Sequence, residues 1–194
     1  MKLVSAVLDK HTPSTWDSMS SYSEVKLVEL SEYSSEYEEV KSKIKETSRI
    51  LIKKVVRVQN PYLWGCYQLK KAECTLRAPS SVEEKKLFHA TAQDNIESIT
   101  EDNLDWRRSW RTKYGEGVSF SPYARYANTY CNLSCGTRRA FILARVLVGK
   151  SAEGNYSTEL PPPDCDTTVS YDDNVIVKYC DNEFYPEYIA YYNC

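Results

Sequence analysis

Segments that read as β-strand recur along this chain without a regular strand–helix–strand rhythm, and that pattern narrows the fold more than any other feature. RRAFILARVLVGK (138–150) is the clearest strand, and RILIKKVVRVQ (49–59) is dense in the β-branched residues that favour a pleated backbone. KKLFHAT (85–91) reads as a short buried strand ending at His89, VSF (118–120) as a short extended step, and NVIVKYC (174–180) and EYIAYY (187–192) as two more strands. Helices are interspersed. Ser34 or Ser35 can cap one that sets Tyr37, Val40 and Ile44 on a single face. Asn60 as N-cap and Pro61 as first residue start a second, with Leu63, Trp64 and Tyr67 as its apolar stripe and its end near Arg77. Gln93 or Asp94 opens a third carrying Ile96 and Ile99, and Ser121 with Pro122 opens a fourth that runs to about Tyr130. Residues 1–30 read as polar and irregular, anchored by Thr15, Trp16 and Met19. Loops are expected at 78–81, 102–117 and the Pro-rich 151–170. The class that follows is α+β with a mostly antiparallel sheet.

A chain of 194 residues is long enough for one domain with a real core. The expected division is an N-terminal extension over residues 1–14 and one domain over 15–194. A formal net charge of -2 gives no argument for nucleic acid as a partner. The first apolar run is broken by Asp9 and Lys10, too short for a signal peptide, and no run approaches a membrane span. The chain is therefore expected to be soluble and intracellular, cytoplasmic or nuclear, and monomeric. Its seven cysteines are odd in number and irregular in spacing, and no histidine near Cys131 and Cys135 completes a zinc set, so free thiols are expected. The sequons at Asn132 and Asn155 would matter only in a secreted protein.

No HExxH and no GxSxG is present, so a hydrolase has little support. Two features point to a ligand. His89 stands where a strand enters a loop. Gly115 and Gly117 in KYGEGVSFSPYARYANTYC (113–131) permit positive φ and close approach to the backbone. Tyr123, Tyr126 and Tyr130 share a face of the following helix, either as ordinary core or as a floor for a flat ring.

Taken in order, the segment from Arg57 to Trp64, LFHAT (87–91), NLDWR (103–107), YGEGVSF (114–120), a helix ending in Tyr130 and YPEYIAY (185–191) resemble the catalytic domain of the poly(ADP-ribose) polymerase family. They look most like its mono-ADP-ribosyltransferase members, which are often joined to CCCH zinc-finger or WWE domains. The resemblance runs from about Thr15 to Tyr192. It implies the ADP-ribosyltransferase fold, a split, mostly antiparallel sheet with flanking helices around a cleft for NAD, which is the substrate; no metal is required.

The resemblance also implies roles. His89 would hydrogen-bond the adenosine ribose. Ala90 stands where the family has a glycine whose backbone holds the nicotinamide amide. Thr91 would contact ribose or phosphate, and Asn95 would add a polar contact. Gly117 belongs to the family's Gly-rich step, and Ser119 replaces the tyrosine that covers one face of nicotinamide. Ala127 replaces a serine that bonds the amide, and Tyr130 keeps the ring that stacks on the opposite face. His89, Ser119 and Ile189 occupy the three catalytic positions, with Glu187 expected on the same strand face as Ile189. An aliphatic residue cannot activate a ribose hydroxyl, so single ADP-ribose units transferred to protein acceptors are expected rather than chains. Arg107, Arg108 and Arg111 could hold phosphates. Tyr123, Tyr126, Trp106 or Trp110 could refill the space at Ser119. The departures at Ala90, Ser119 and Ala127 leave a second reading open, a catalytically silent module of the same fold acting by protein or nucleic-acid interaction.

Overall fold

A computed structural model describes residues 2–19, 24–77, 82–109, 113–131 and 135–193. In chain order it contains α1 (Lys2–His11), β1 (Lys26–Glu29), α2 (Ser35–Lys45), β2 (Ile52–Gln59), α3 (Pro61–Arg77), β3 (Glu83–Ala92) and α4 (Ile96–Asp102). These are followed by β4 (Val118–Phe120), α5 (Ala124–Tyr130), β5 (Arg138–Val148), β6 (Ser151–Glu153), β7 (Thr167–Val169), β8 (Ile176–Lys178) and β9 (Phe184–Asn193). Among the described residues no helix is long and apolar enough to cross a membrane.

The sheet is split, as expected. One half has five strands in the order β1-β2-β9-β5-β3, all antiparallel, and the other has four in the order β4-β8-β7-β6, with β6 and β7 parallel. The long β5 lies between β9 and β3, which explains why its sequence is apolar almost throughout. A single antiparallel bridge joins the halves: Phe88 and Ser121 exchange both main-chain bonds, at 2.7 and 2.8 Å.

Two of the helix signals, at Ser34 and at Asn60-Pro61, work as read. The Ser34 hydroxyl accepts from the Tyr37 amide, and α2 buries Tyr37, Val40 and Ile44 against β2, β5 and β9. Asn60 Oδ1 accepts from the Leu63 amide, and its amide group donates to the Thr100 carbonyl, so one residue caps α3 and ties it to α4. The helix after β4 starts later than Pro122. Ser121 Oγ takes only the Tyr123 amide, and the Ala124 amide is capped by Thr47 Oγ1 from the turn after α2.

Three expectations are corrected. Residues 1–30 are not irregular: α1 lies on α3, with Leu8 fully buried beside Leu63, Trp64 and Tyr67, and Trp64 Nε1 donating to the His11 carbonyl. Tertiary packing makes this helix, since its own sequence is too weakly apolar to announce it. β1 is a half-exposed edge strand that exists by pairing with β2. The segment 151–170 holds β6 and β7, each too short to carry a periodic signal. The third correction is that β3 continues past His89 to Ala92.

Candidate functional site

A cavity of about 840 Å³ opens where the two half-sheets diverge beyond the Phe88–Ser121 bridge. That is ample for a drug-sized or dinucleotide ligand. Its walls are the end of β3, the first turns of α4, the loop 102–109, Lys113 and Tyr114, β4, and the inner face of α5.

The β3 wall is the edge strand of its half-sheet, and its hydrogen-bond parity can be read from the bridge. Phe88 turns its N–H and C=O toward Ser121, away from β5. Alternate residues of an antiparallel strand repeat that direction, so the N–H and C=O of Ala90 also point to the free edge, where β4 no longer covers them. The methyl of Ala90 is spent on the core, against the cluster around Phe88 and Phe141. An edge donor and acceptor on one residue is a ready partner for a primary amide.

His89 projects from the opposite face of β3. Its Nδ1 lies 2.9 Å from the Ser119 carbonyl, which can only accept, so Nδ1 carries the proton. Burial pushes the imidazole below its ordinary pKa, against the opposing pull of that carbonyl. The ring is therefore neutral at physiological pH, and Nε2 carries a lone pair. Thr91 Oγ1 accepts from Asn95 Nδ2 at 2.9 Å, joining β3 to the turn before α4.

Seven of the residues expected to contact ligand line this one cavity: His89, Ala90, Thr91, Asn95, Ser119, Ala127 and Tyr130. Arg107 and Arg108 line it too, with Arg107 Nε held by Asp105 at 2.7 Å. Arg111 and Trp110 lie outside the described residues. Neither Tyr123 nor Trp106 is on the wall. Tyr126 is, but it does not face Tyr130 across a gap. The two ring centroids are 5.0 Å apart and the hydroxyls 3.0 Å apart. Two rings holding a third between them would stand about 7 Å apart, twice a ~3.5 Å contact. Tyr126 thus extends the wall that Tyr130 begins.

The family profile described as poly(ADP-ribose) polymerase catalytic domain matches residues 31–185. The chain belongs to this family. It is 33% identical over 198 residues to protein mono-ADP-ribosyltransferase PARP12 of Homo sapiens, covering 94% of this chain and 28% of that protein. It is 34% identical over 181 residues to protein mono-ADP-ribosyltransferase PARP14 of Homo sapiens, covering 84% and 10%. With protein mono-ADP-ribosyltransferase PARP11 of Mus musculus the identity is 28% over 209 residues, covering 91% and 63%. The chain therefore spans less than two thirds of the length of each.

Two expected site residues of this poly(ADP-ribose) polymerase domain, Gly117 and Ile189, are not among the residues on the cavity wall. Any Cβ at Gly117 would overlap the Lys178 carbonyl of β8, so the glycine serves the close approach of β4 and β8. Gly115, at φ +137, likewise has Tyr179 and Thr168 where a side chain would go. What approaches these two glycines is the protein itself. Ile189 is fully buried between Val56 of β2 and Ile142 of β5, on the sheet face that carries His89, and packs in one cluster with the cavity-lining Ile99, Leu104, Val118 and Phe120.

The expected alternation around Ile189 also fails. Tyr188 pairs with Leu143 but Pro186 with Ala144, which leaves Glu187 as a bulge residue. Glu187 consequently points with Tyr188 toward Lys86 and Arg145, whose Nη2 lies 2.6 Å from it, while Ile189 faces the other side of the sheet. After β5, the apolar residue on the cavity wall is Val175, next to Ile176, which pairs with Phe120. Sequence reading placed Val175 in a strand but had no means of registering that strand against β4. Tyr114 was passed over as well, as the neighbour of Gly115. Cys66, Cys74, Cys135, Cys165 and Cys180 are free thiols, and no group of metal-binding side chains is found among the described residues.

Proposed function

We propose that this chain is an NAD-dependent mono-ADP-ribosyltransferase domain, which breaks the nicotinamide–ribose bond of NAD and passes one ADP-ribose unit to a protein acceptor. The observation that carries the reading is the adjacent pair on β3: a main chain at Ala90 turned to the free edge, and a neutral His89 with Nε2 available. The first suits a carboxamide, which needs one acceptor and one donor. The second suits a ribose hydroxyl, which needs an acceptor.

In this reading Ala90 orients the nicotinamide amide through its N–H and C=O, and Tyr130 lies against the ring. His89 holds the adenosine ribose, with Thr91 and Asn95 beside it. Arg107 and Arg108 stand near the phosphates. The electron pair of the breaking C–N bond goes to the pyridinium nitrogen and neutralises it. Charge then develops on the ribose, as in glycoside chemistry, and the acceptor's lone pair closes the new bond at C1. Fixing the dinucleotide at both ends is the protein's main contribution to that step. Ile189, at the third catalytic position that the resemblance implies, supplies no carboxylate or hydroxyl to activate a second ribose, which favours single units.

Ser119 and Ala127 lack an aromatic face and a hydroxyl, each a loss of about 0.5–1.5 kcal/mol, so NAD affinity should be about 5- to 150-fold below that of a site with both. The test is intact mass after incubation with NAD, for wild type, His89→Ala and Tyr130→Ala, beside thermal unfolding with and without NAD. A single ADP-ribose adduct, lost in both variants, is expected. No adduct, no free nicotinamide and no thermal shift would leave the silent module as the reading.

A further inference from the structure

The second aromatic wall of the cavity need not come from position 119. Tyr114 lines the cavity, and the chain around it is held unusually firmly. Its carbonyl accepts from Thr168 Oγ1 at 2.6 Å, and Thr168 Oγ1 lies 2.5 Å from the Tyr179 hydroxyl. Thr168 is fully buried on β7 and Tyr179 follows β8, so both anchors belong to the smaller half-sheet. Gly154 passes so close that any Cβ on it would overlap the Tyr114 carbonyl, and the neighbouring Glu116 amide donates to the Glu159 carbonyl at 3.1 Å. Gly115 is held at φ +137 by the same packing.

The main chain of Tyr114 is thus committed to the sheet, and the part left to line the cavity is its ring. That ring has Lys113 Nζ 5.1 Å from its centroid. A hydrogen bond to the Tyr114 side chain, with smaller effects of Tyr130 and Tyr156, makes the Lys113 ammonium hold its proton more tightly. Tyr114, Tyr126 and Tyr130 all line the cavity, two of them from α5 and one from the sheet-anchored rim.

We propose that Tyr114 is a specificity-determining residue that contacts the flat carboxamide ring of the ligand, and that Thr168 and Tyr179 are positioning residues that hold it in place. This rests on the reading of the cavity as the NAD site. The clamp fixes the rim before ligand arrives, so little ordering is left to do on binding. It also explains why a chain with Ser119 can retain a usable pocket.

The experiment is calorimetric titration of wild type, Tyr114→Ala, Tyr114→Phe, Tyr179→Phe and Thr168→Ser with benzamide and, separately, with ADP-ribose, after thermal unfolding has shown each variant to be folded. Tyr114→Ala should weaken benzamide about two- to tenfold, the range of one aromatic contact, and leave ADP-ribose unchanged. Tyr114→Phe should restore benzamide binding, Tyr179→Phe should weaken it in part, and Thr168→Ser, which keeps the hydroxyl, should not. Benzamide binding that is indifferent to Tyr114→Ala, or equal loss of benzamide and ADP-ribose, overturns the assignment while leaving the NAD site standing. Wild type that binds neither probe overturns both.

Discussion

Nδ1 of His89 donates to the main-chain carbonyl of Ser119 across 2.9 Å, and this one bond ties the edge of the larger half-sheet to the first strand of the smaller one. It fixes the tautomer of His89 without any second side chain. A carbonyl is indifferent to the identity of residue 119, so the replacement of an aromatic residue there leaves the histidine's orientation intact.

A pH dependence follows from that geometry. Burial lowers the folded-state pKa of His89 below its unfolded value of about 6.5. Between the two values the unfolded chain binds more protons, so the contribution of His89 to stability is full above about pH 6.5 and falls as pH drops toward the folded pKa. Unfolding free energies of wild type and His89→Gln, compared from pH 5 to pH 8, should converge on the acid side. ADP-ribose affinity of wild type should be flat above pH 7, where Nε2 keeps its lone pair. A wild-type stability advantage that grows with acidity would contradict the assigned tautomer and burial.

The parity of β3 makes a sharper claim about Ala90. Its N–H does not belong to the ladder with β5, so proline there costs the sheet no hydrogen bond, whereas proline at Thr91 removes one. Ala90→Pro should therefore unfold at a higher temperature than Thr91→Pro, yet lose benzamide binding by at least about tenfold, one charge-free hydrogen bond plus the displaced acceptor. Ala90→Gly should bind benzamide like wild type, since the methyl sits in the core cluster rather than on the ligand side. Benzamide bound normally by Ala90→Pro would move the amide site off this edge.

The glycines test a different kind of constraint. Gly115 combines φ +137 with the Tyr179 and Thr168 side chains where a Cβ would go, and Gly117 faces β8 backbone. Gly136 has φ +64 but open space around it. Gly115→Ala and Gly117→Ala should each destabilise by at least about 1–3 kcal/mol, through strain and overlap together. Gly136→Ala should cost about 1 kcal/mol from the left-handed backbone alone. Denaturant unfolding of the three variants measures this ranking, and equal losses would mean that the rim at 114–117 is not clamped.

Much of this fold was legible because its strongest signals are local. Asn60-Pro61 caps α3 as its chemistry demands, Tyr37, Val40 and Ile44 face the core, and the apolar run of β5 lies inside the larger half-sheet. What was not legible depends on distant partners. α1 exists because Leu8 finds Trp64 and Tyr185, and β1, β6 and β7 exist because neighbours complete them. In the candidate site, the residues the resemblance singled out from His89 to Asn95, with Ser119, Ala127 and Tyr130, line one cavity. Strand reading misplaced the face of Glu187 and did not reach Val175, for two physical reasons. A bulge at Glu187 breaks the alternation that strand reading assumes, and the pairing of β8 with β4, which brings in Val175, spans a register that no local pattern encodes.

The contrast between Ile189 and Val175 gives the last prediction. Ile189 is fully buried in a cluster with Val56, Ile142 and Phe184, whereas Val175 borders both the core and the cavity. Ile189→Ala should lower unfolding free energy by about 2–5 kcal/mol, the transfer loss plus the cavity it leaves, with the KM for NAD within about twofold of wild type at a temperature where the variant is folded. Val175→Ala should show the reverse balance. Its smaller deletion should cost less stability than Ile189→Ala, while the rate of ADP-ribose adduct formation and the KM for NAD both change, because the lost methyls border the ligand. Denaturant melts and adduct kinetics on the two variants, measured side by side, separate a core residue from a wall residue. If Ile189→Ala changes KM while Val175→Ala changes only stability, the C-terminal wall of the site is formed by β9 after all.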